Sequence, residues 1–334
     1  MRRIAPTVAD TRRFRKFVGI DIPGCTPVDP TRRVFTHWCQ PRLAGSAVVK
    51  DIRLDCDGGE WGSVGCVVQE TEASMNDPAQ GGRSIYAQRP AELPAYADIA
   101  PSFYHVTDLP NGVTTPGLWD LRGRVDEYLG GVDLVRKRVL EIGPASGFLT
   151  VEMERRGAEV VVLDIAEDGN WDFVPFPHDV MAGVREHRFS DMKYIRNSFW
   201  YTHRAFDLKA RAVYADACDI PREVGRFDIA VLAAVLLHTS NPQRILSECA
   251  EIAHTIVITE MAYPDLEQQN KALIRLHPTP ENKDWGTWWH FTSAFFRQYL
   301  GVLGFGRQAV TYHSQREAWQ DRQGDFFTVV ASRG

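Results

Sequence analysis

Two acidic residues and a turn bracketed by glycines form the most informative chemical pattern in this sequence. Glu141 ends an apolar run, Gly143 and Gly147 follow within the stretch VLEIGPASGFLTVEM, and Asp164 comes 21 residues after Gly143. Small residues in such a turn let a ligand lie against the backbone. A carboxylate at this distance can accept hydrogen bonds from both hydroxyls of a ribose. The pattern therefore predicts a binding site for an adenine nucleoside.

Enzymes that bind dinucleotides share this pattern, and three details favour S-adenosylmethionine instead. The turn GPASG lacks the GxGxxG spacing that cradles a pyrophosphate. Glu141 stands two positions before the first glycine, where its charge would repel a diphosphate but could orient an ammonium group. Asp216 and Ala217 follow a later apolar segment, where an acid can accept from an adenine amine or can simply cap a turn.

From Trp119 onward the sequence alternates between strand-like and helix-like patterns. Predicted strands cover 138–143, 159–164, 212–214, 227–232, 255–259, 307–312 and 325–331, and predicted helices cover 120–129, 147–156, 190–209, 242–252 and 292–303. Strands that alternate with helices imply a mostly parallel sheet with helices on both faces. The predicted fold class is therefore α/β, with a doubly wound sheet.

Residues 1–117 form a contrasting, turn-rich part of the chain. They carry glycine and proline clusters, with strand-like content only at 47–54 and 64–70. We predict an accessory, partly β region on the substrate side at 1–117 and a cofactor-binding domain at 118–334. The first seventeen residues hold six basic residues against one acid, which predicts either a solvated terminus or a contact with an anion or RNA.

Composition excludes several classes of protein. The chain has 334 residues and a net charge of −5, and its longest apolar run, Ile229 to Leu237, is too short to span a membrane. The N-terminus lacks the apolar stretch of a secretory signal, and six cysteines without a CxxC pair are typical of a reduced, cytoplasmic protein. The irregular spacing of four thiol and imidazole groups argues against a zinc site at Cys25, His37, Cys39 and Cys56.

Residues 117–310 resemble the class I S-adenosylmethionine-dependent methyltransferases. The resemblance is carried by HVTDLPNGVTTPGLWDLR, VLEIGPASGFLTVEMERRGAEVVVLDI, GRFDIAVLAAVLLHTSNPQRIL and the WW of GTWWHFT, and it extends to the branch of the tRNA wobble-uridine carboxymethyltransferase and its uncharacterised relatives. It implies a Rossmann-like, seven-stranded methyltransferase sheet and S-adenosylmethionine as the cofactor. It also implies cofactor contacts at Glu141, Gly143, Pro144, Ala145, Ser146, Gly147, Asp164, Ile165, Asp216, Ala217 and Ala233.

Candidate groups for the methyl-acceptor side follow the predicted strands. His238 comes after the fourth strand, where it could act as a general base or hold a loop through a ring hydrogen bond. Tyr104 and His105 are alternative acid or base groups, because the resemblance places the stretch from Tyr104 to Trp119 near the methionine end of the cofactor. We therefore expect catalytic roles for His238, His290 and Tyr104.

A long insert at 262–291 follows the fifth strand and is predicted to form a lid. Its tryptophans, Trp285, Trp288 and Trp289, could stack on a planar substrate or face the sulfonium, or they could belong to the core. No metal is predicted. The alternative is a two-histidine, one-carboxylate site at His238, His290 and Glu260, although no HxH or HxxxE spacing supports it.

Three functions remain in agreement with the sequence. The first is a methyltransferase that acts on an O, N or C atom of a small-molecule, biosynthetic substrate, which the acidic balance and the aromatic insert favour. The second is a methyltransferase that modifies tRNA, which the branch resemblance and the basic N-terminus favour. The third is a protein that binds S-adenosylmethionine without catalysis.

Overall fold

The computed structural model of the chain describes residues 84–166 and 171–334. The strand-like segments at 47–54 and 64–70, the basic N-terminal stretch and the cysteines at 25, 39 and 56 lie outside these residues. The predicted boundary at residue 117 therefore stays a prediction. Within the described part of the chain, no helix has the length and apolar character that a membrane span requires.

Ten strands form the β-structure of the described residues. They are β1 (Trp119–Asp120), β2 (Arg138–Ile142), β3 (Glu159–Asp164), β4 (Arg211–Tyr214), β5 (Phe227–Ala233), β6 (Ala253–Met261), β7 (Ile274–Leu276), β8 (Trp289–Phe291), β9 (Arg307–Glu317) and β10 (Arg322–Ser332). Eight of them form one sheet in the order β1-β9-β10-β6-β5-β2-β3-β4. The seven predicted strands are confirmed. The eighth, β1, pairs with the end of β9 through Trp119 and Glu317.

Strand direction and order create a crevice at one edge of this sheet. Strands β2 to β6 run parallel, whereas β10 lies antiparallel between β6 and β9. From β2 the chain moves outward to β3 and β4, and it then returns to β5 on the other side of β2. Ligands of doubly wound sheets bind at the carboxyl ends of the strands where the order reverses. The crevice between β2 and β5 is therefore the expected site.

Eight α-helices accompany the strands within residues 84–166 and 171–334. They are α1 (Tyr96–Ile99), α2 (Val125–Tyr128), α3 (Phe148–Arg155), α4 (His178–Met181), α5 (Val184–Ala205), α6 (Pro242–Ile252), α7 (Pro264–Glu267) and α8 (Ser293–Val302). The helix predicted at 120–129 is wrong over its first half, because Asp120 belongs to β1 and Gly123 has a left-handed φ of 74°. Helix α5 begins earlier than predicted, directly after Gly183, which also has a φ of 74°.

The core consists of two layers, one on each face of the sheet. On β3, Val161 and Leu163 face the layer of α6 and α8, while Val160 and Val162 face the layer of α3 and α5. These four side chains are at most 2% exposed. Burial of each contributes about 1.5–3 kcal/mol, which explains why an unbroken β-branched run forms a central strand.

The predicted insert at 262–291 has structure of its own. Helix α7 is followed by β7 and β8, which pair antiparallel, with Arg275 opposite His290. The chain then continues into α8, whose first turn is capped by the Thr292 side chain through the Phe295 amide. A short two-stranded sheet therefore presents the aromatic residues of this insert.

Candidate active site

The turn between β2 and α3 requires its two glycines. Gly143 and Gly147 have φ values of 70° and 84°, which side chains rarely adopt. A Cβ on Gly143 would lie 2.6 Å from Val235 Cγ2, and one on Gly147 would lie 3.1 Å from Phe199 Cδ2. The Gly147 amide donates to the Pro144 carbonyl at 2.8 Å, which closes the turn. The bare backbone of this turn is therefore free to approach a ligand.

Two alanines near the same crevice hold left-handed backbone. Ala145, in the turn after β2, has a φ of 47°, and Ala234, directly after β5, has a φ of 52°. Such strain in residues with a side chain concentrates at functional sites. The Ala234 amide donates to the Thr259 carbonyl at 2.7 Å, so β6 holds this conformation. Ala233, a predicted cofactor contact, is the last residue of β5.

Glu141 is a buried carboxyl group behind the turn. It is 2% exposed, and Thr150 Oγ1 donates to its Oε2 at 2.5 Å. Burial, together with the charge of Asp164, raises the pKa of Glu141 to about 7, although the Thr150 hydrogen bond opposes this shift. A cationic ligand in the crevice would stabilise the ionised form. This environment suits the ammonium group that the sequence pattern predicts Glu141 to orient.

Asp164 and Asp216 occupy the next two strand ends. The half-buried Asp164 accepts from the Ile165 amide at 2.8 Å through Oδ1, and burial raises its pKa to about 6. Its Oδ2 has no hydrogen-bond partner among the described residues. The exposed Asp216 accepts from the Cys218 amide at 2.8 Å, which forms a turn after β4. One oxygen of Asp164 therefore remains available for a ribose.

Most predicted cofactor residues therefore share one edge of the sheet. Strands β2 to β5 are parallel, so their carboxyl ends bring together Gly143, Pro144, Ala145, Gly147, Asp164, Ile165, Asp216, Ala217 and Ala233. The Ser146 hydroxyl instead accepts from the amides of Tyr104 at 3.2 Å and His105 at 3.4 Å. Ser146 thus holds the segment before β1 against the turn.

That segment places Tyr104 beside the crevice. The Tyr104 carbonyl accepts from the amides of Leu118 at 2.9 Å and Trp119 at 3.2 Å. Burial raises the pKa of Tyr104, so its hydroxyl keeps its proton and serves as a hydrogen-bond donor. Burial lowers the pKa of the neighbouring His105 to about 3, so that imidazole stays neutral. Of the two, Tyr104 is the group suited to donate a hydrogen bond.

His238 lies beyond the end of β5 with one ring nitrogen fixed. Its Nδ1 lies 2.7 Å from the Gly286 carbonyl oxygen, and a carbonyl can only accept, so Nδ1 carries the proton. Burial and the charge of Arg188 lower the pKa of His238, although the Gly286 contact opposes this. The ring is neutral at pH 7 and its Nε2 is left as a proton acceptor. The sequence leaves two roles open for His238, a general base and a loop contact through a ring hydrogen bond. The observed geometry allows both roles at once.

Two residues that the sequence analysis did not single out lie next to His238. The rings of Trp171 and His238 have centroids 5.4 Å apart. The guanidinium carbon of Arg188, from the first turns of α5, lies 3.8 Å from the Trp171 ring centroid. The early start of α5, after Gly183, brings Arg188 to this place. No motif marks either residue, because their proximity arises only from the fold.

The insert closes over the same strand ends through its tryptophans. The Trp288 amide donates to the Leu237 carbonyl at 2.7 Å, and its indole Nε1 donates to the Asp172 carbonyl at 2.7 Å. Trp289 Nε1 donates to the Thr239 carbonyl at 2.8 Å. The indole N–H groups therefore fasten the insert on two sides. Trp285 packs against Phe173, with ring centroids 5.7 Å apart.

His290 and Glu260 do not join His238 in a metal site. Among the described residues no group of three or more His, Cys, Asp or Glu side chains could hold a metal ion, so the alternative metal site is wrong. The His290 ring stacks on Tyr263 with centroids 3.6 Å apart, and its Nδ1 accepts from Arg275 at 2.9 Å. Burial lowers the pKa of His290 to about 4. Stacking and this hydrogen bond occupy the ring instead of a metal.

Glu260 has a backbone partner of its own. It is 2% exposed, and its Oε1 accepts from the Leu236 amide at 3.1 Å. Burial raises the pKa of Glu260 to about 8. The side chain therefore links the end of β6 to the turn that follows β5, directly before His238.

The chain belongs to the methyltransferase-domain family. Residues 120–305, more than half of the chain, match the family described as Methyltransferase domain. Together with the mixed α/β sheet and the glycine turn, this match defines a class I S-adenosylmethionine-dependent methyltransferase fold. The cofactor is S-adenosylmethionine, and the residues at the crevice fit it. No curated protein matches the chain in sequence.

Several solved structures are similar in outline. The N-terminal domain of EvdMO1 with S-adenosylhomocysteine bound is 17% identical, with a TM-score of 0.42, covering 74% of this chain and 100% of that one. Magnesium protoporphyrin IX methyltransferase from Synechocystis PCC 6803 is 16% identical, with a TM-score of 0.39, covering 60% and 76%. An O-methyltransferase family protein from Burkholderia thailandensis is 15% identical, with a TM-score of 0.41, covering 64% and 56%.

Proposed function

We propose that this protein methylates an oxygen or nitrogen atom of a small-molecule substrate, with His238 as the general base. One observation carries the assignment of the base. The Gly286 carbonyl fixes the proton of His238 on Nδ1 and leaves Nε2 as an acceptor at the carboxyl end of β5. A base positioned in this way contributes roughly 10²–10⁴-fold to a proton-transfer step.

The chain's own residues divide the remaining tasks. S-adenosylmethionine supplies an electrophilic methyl group on a sulfonium sulfur. With the cofactor bound, Glu141 and Asp164 would hold its amino-acid and ribose ends, and the bare Gly143 turn would let it approach the backbone. His238 Nε2 takes the proton of the acceptor O–H or N–H as the new bond to the methyl carbon forms and the bond from sulfur to that carbon breaks. Tyr104 donates a hydrogen bond that orients the acceptor.

The enclosure of the acceptor side supports a small molecule. Trp288 and Trp289 fasten the insert to Asp172 and Thr239, which lie on opposite sides of His238 in the sequence. These contacts attach the insert over the strand ends, and a net charge of −5 does not favour binding to a polyanion. A tRNA substrate, as in the wobble-uridine branch, is the competing hypothesis. His290 takes a packing role in this proposal.

The test is methyl transfer from labelled S-adenosylmethionine into a cell extract separated into small metabolites, RNA and protein. We expect label among the small metabolites, and we expect His238→Asn to abolish it while S-adenosylhomocysteine still binds in calorimetry. His254→Asn is the matched control, because His254 is exposed at the opposite end of β6.

Each contrary outcome identifies a different protein. Label in RNA would establish the tRNA hypothesis. Cofactor binding without any label would establish a non-catalytic binding protein. Full activity of His238→Asn would remove the histidine from the reaction and leave the methyltransferase assignment intact.

A further inference from the structure

We infer that the methyl acceptor carries an anionic group, a carboxylate or a phosphate, which is bound by Arg188 and Trp171 beside His238. This inference rests on the proposed function, because it names the substrate class of the same site. It depends on two buried N–H donors that lie close together and have no acceptor among the described residues.

Arg188 is a half-buried guanidinium without an ion pair among the described residues. Its Nε is buried and has no hydrogen-bond partner there. The carboxylate of Asp191, one turn along α5, lies 3.5 Å from His187 Nε2 and acts on Arg188 only through its charge, without an ion-pair contact among the described residues. A guanidinium removed from water usually binds a carboxylate or phosphate, often through two parallel hydrogen bonds. Within the described part of the chain, Arg188 therefore has no carboxylate bound to its guanidinium.

Trp171 supplies a second donor next to the first. Its indole Nε1 is also buried without a partner among the described residues, whereas Trp288 and Trp289 both use theirs. The guanidinium carbon of Arg188 lies 3.8 Å from the centre of this ring. Buried indole N–H groups normally find an acceptor. Two adjacent buried donors without an acceptor among the described residues favour the binding of an oxyanion here.

The position of these donors connects them to the reaction. The Trp171 ring lies 5.4 Å from the His238 ring, whose Nε2 is the proposed base. The positive charge of Arg188 acts to lower the pKa of both Tyr104 and His238, so the guanidinium lies near these acceptor-side groups. The same charge acts to lower the pKa of Asp164, which belongs to the predicted cofactor site. The carboxylate of the cofactor is therefore a second source of the anion. The experiment must separate these two sources.

The experiment is a calorimetric titration of protein that has been saturated with S-adenosylhomocysteine. The titrants are benzoate, its neutral isostere benzamide and inorganic phosphate. We expect benzoate or phosphate to bind, and benzamide to bind at least about tenfold more weakly than benzoate, as loss of a charge-assisted hydrogen bond predicts. Arg188→Gln should remove this discrimination. Trp171→Phe, which keeps the ring and deletes the donor, should weaken anion binding several-fold.

Arg185 provides a matched control on the same helix. Its guanidinium carbon also lies over an aromatic ring, 4.8 Å from the centroid of Phe173, but the residue is exposed. Arg185→Gln should leave anion binding unchanged. Arg188→Lys, which keeps the charge and loses the planar fork, should retain part of the affinity and guards against a folding defect in Arg188→Gln.

Three results would overturn the inference. Equal affinity for benzoate and benzamide, or no binding of benzoate and phosphate, would exclude an anion site for the acceptor. Loss of S-adenosylhomocysteine binding in Arg188→Gln would assign the guanidinium to the cofactor carboxylate. Because the wild-type protein is loaded with S-adenosylhomocysteine first, failure of cofactor binding itself would be recognised separately, and it would contradict the proposed function instead.

Discussion

The Gly286 carbonyl oxygen accepts a 2.7 Å hydrogen bond from Nδ1 of His238, a residue 48 positions earlier in the chain. One partner belongs to the insert, and the other follows β5 of the main sheet. The contact fixes both the orientation and the tautomer of the imidazole. The insert therefore contributes to the chemistry of the strand end, besides covering it.

His238 predicts a particular dependence of methyl transfer on pH. The pKa of His238 lies below 6.5, so protonation removes the base only in acid. The rate should rise with pH below 6.5 and then stay level until other groups titrate. His238→Asn should lower the rate roughly 10²–10⁴-fold. Initial rates from about pH 5 to about pH 9, on the labelled small-metabolite fraction, check this. A wild-type rate that declines as the pH rises through 6.5 would contradict it.

Asp284 positions Gly286 and is expected to act through it. Asp284 Oδ1 accepts from the amides of Gly286 and Thr287, each at 2.9 Å. Asp284→Ala should therefore loosen the His238 contact and reduce the rate. It also removes a negative charge that raises the pKa of His238, so the acid limb of the pH profile should move to lower pH. Glu281→Ala, at an exposed site in the same insert, is the control. If the acid limb of the pH profile did not move in Asp284→Ala, the role of Asp284 would be structural only.

Glu141 is expected to make cofactor affinity depend on pH. Its pKa is raised to about 7 in the free protein, so the carboxylate that attracts an ammonium group forms as pH rises through 7. Affinity for S-adenosylmethionine should increase over that interval. Glu141→Gln, which can still accept from Thr150, should weaken binding about tenfold and lose this increase. Calorimetric titrations at several pH values measure both effects. An equal slope in the variant would contradict this role of Glu141.

Glu260 is expected to make the stability of the free protein fall with rising pH. Burial raises its pKa from 4.5 to about 8, so the folded state binds more protons than the unfolded state between these values. The free energy of unfolding should decrease across that interval. Glu260→Gln removes the ionisable group and should gain up to about 4 kcal/mol at pH 8. Urea unfolding at about pH 5 and pH 8 measures this difference.

A second variant separates the charge of Glu260 from its hydrogen bond. Glu260→Ala leaves the Leu236 amide without its acceptor, which should cost about 1–3 kcal/mol at both pH values. If Glu260→Ala stabilised the protein as much as Glu260→Gln does, the hydrogen bond to the Leu236 amide would make no contribution to stability.

The sheet could be predicted from the sequence because burial on both faces leaves a direct signal. A run such as Val160 to Leu163 has no polar position, and only a strand covered on two sides accommodates it. The predicted helix at 120–129 failed for a local reason, since Gly123 takes a left-handed φ that interrupts any helix there. Apolar periodicity does not report such a position in advance.

The cofactor edge could also be predicted, whereas most of the acceptor side could not. Gly143 and Asp164 are fixed by spacing along consecutive strands and turns. Arg188 and Trp171 meet only because α5 starts early, and Asp284 acts through a backbone amide. The metal alternative failed because His290 is occupied by Tyr263 and Arg275. Contacts between loops depend on tertiary packing, which sequence spacing does not encode.

The attachment of the insert also affects how fast the protein consumes its cofactor without a substrate. Any opening of the insert that admits or releases a substrate separates Gly286 from His238, and the imidazole then loses its fixed tautomer. Removal of a proton and enclosure of the acceptor therefore depend on the same hydrogen bond. An open site has no oriented base with which to activate water, so the protein should consume S-adenosylmethionine very slowly when no acceptor is bound.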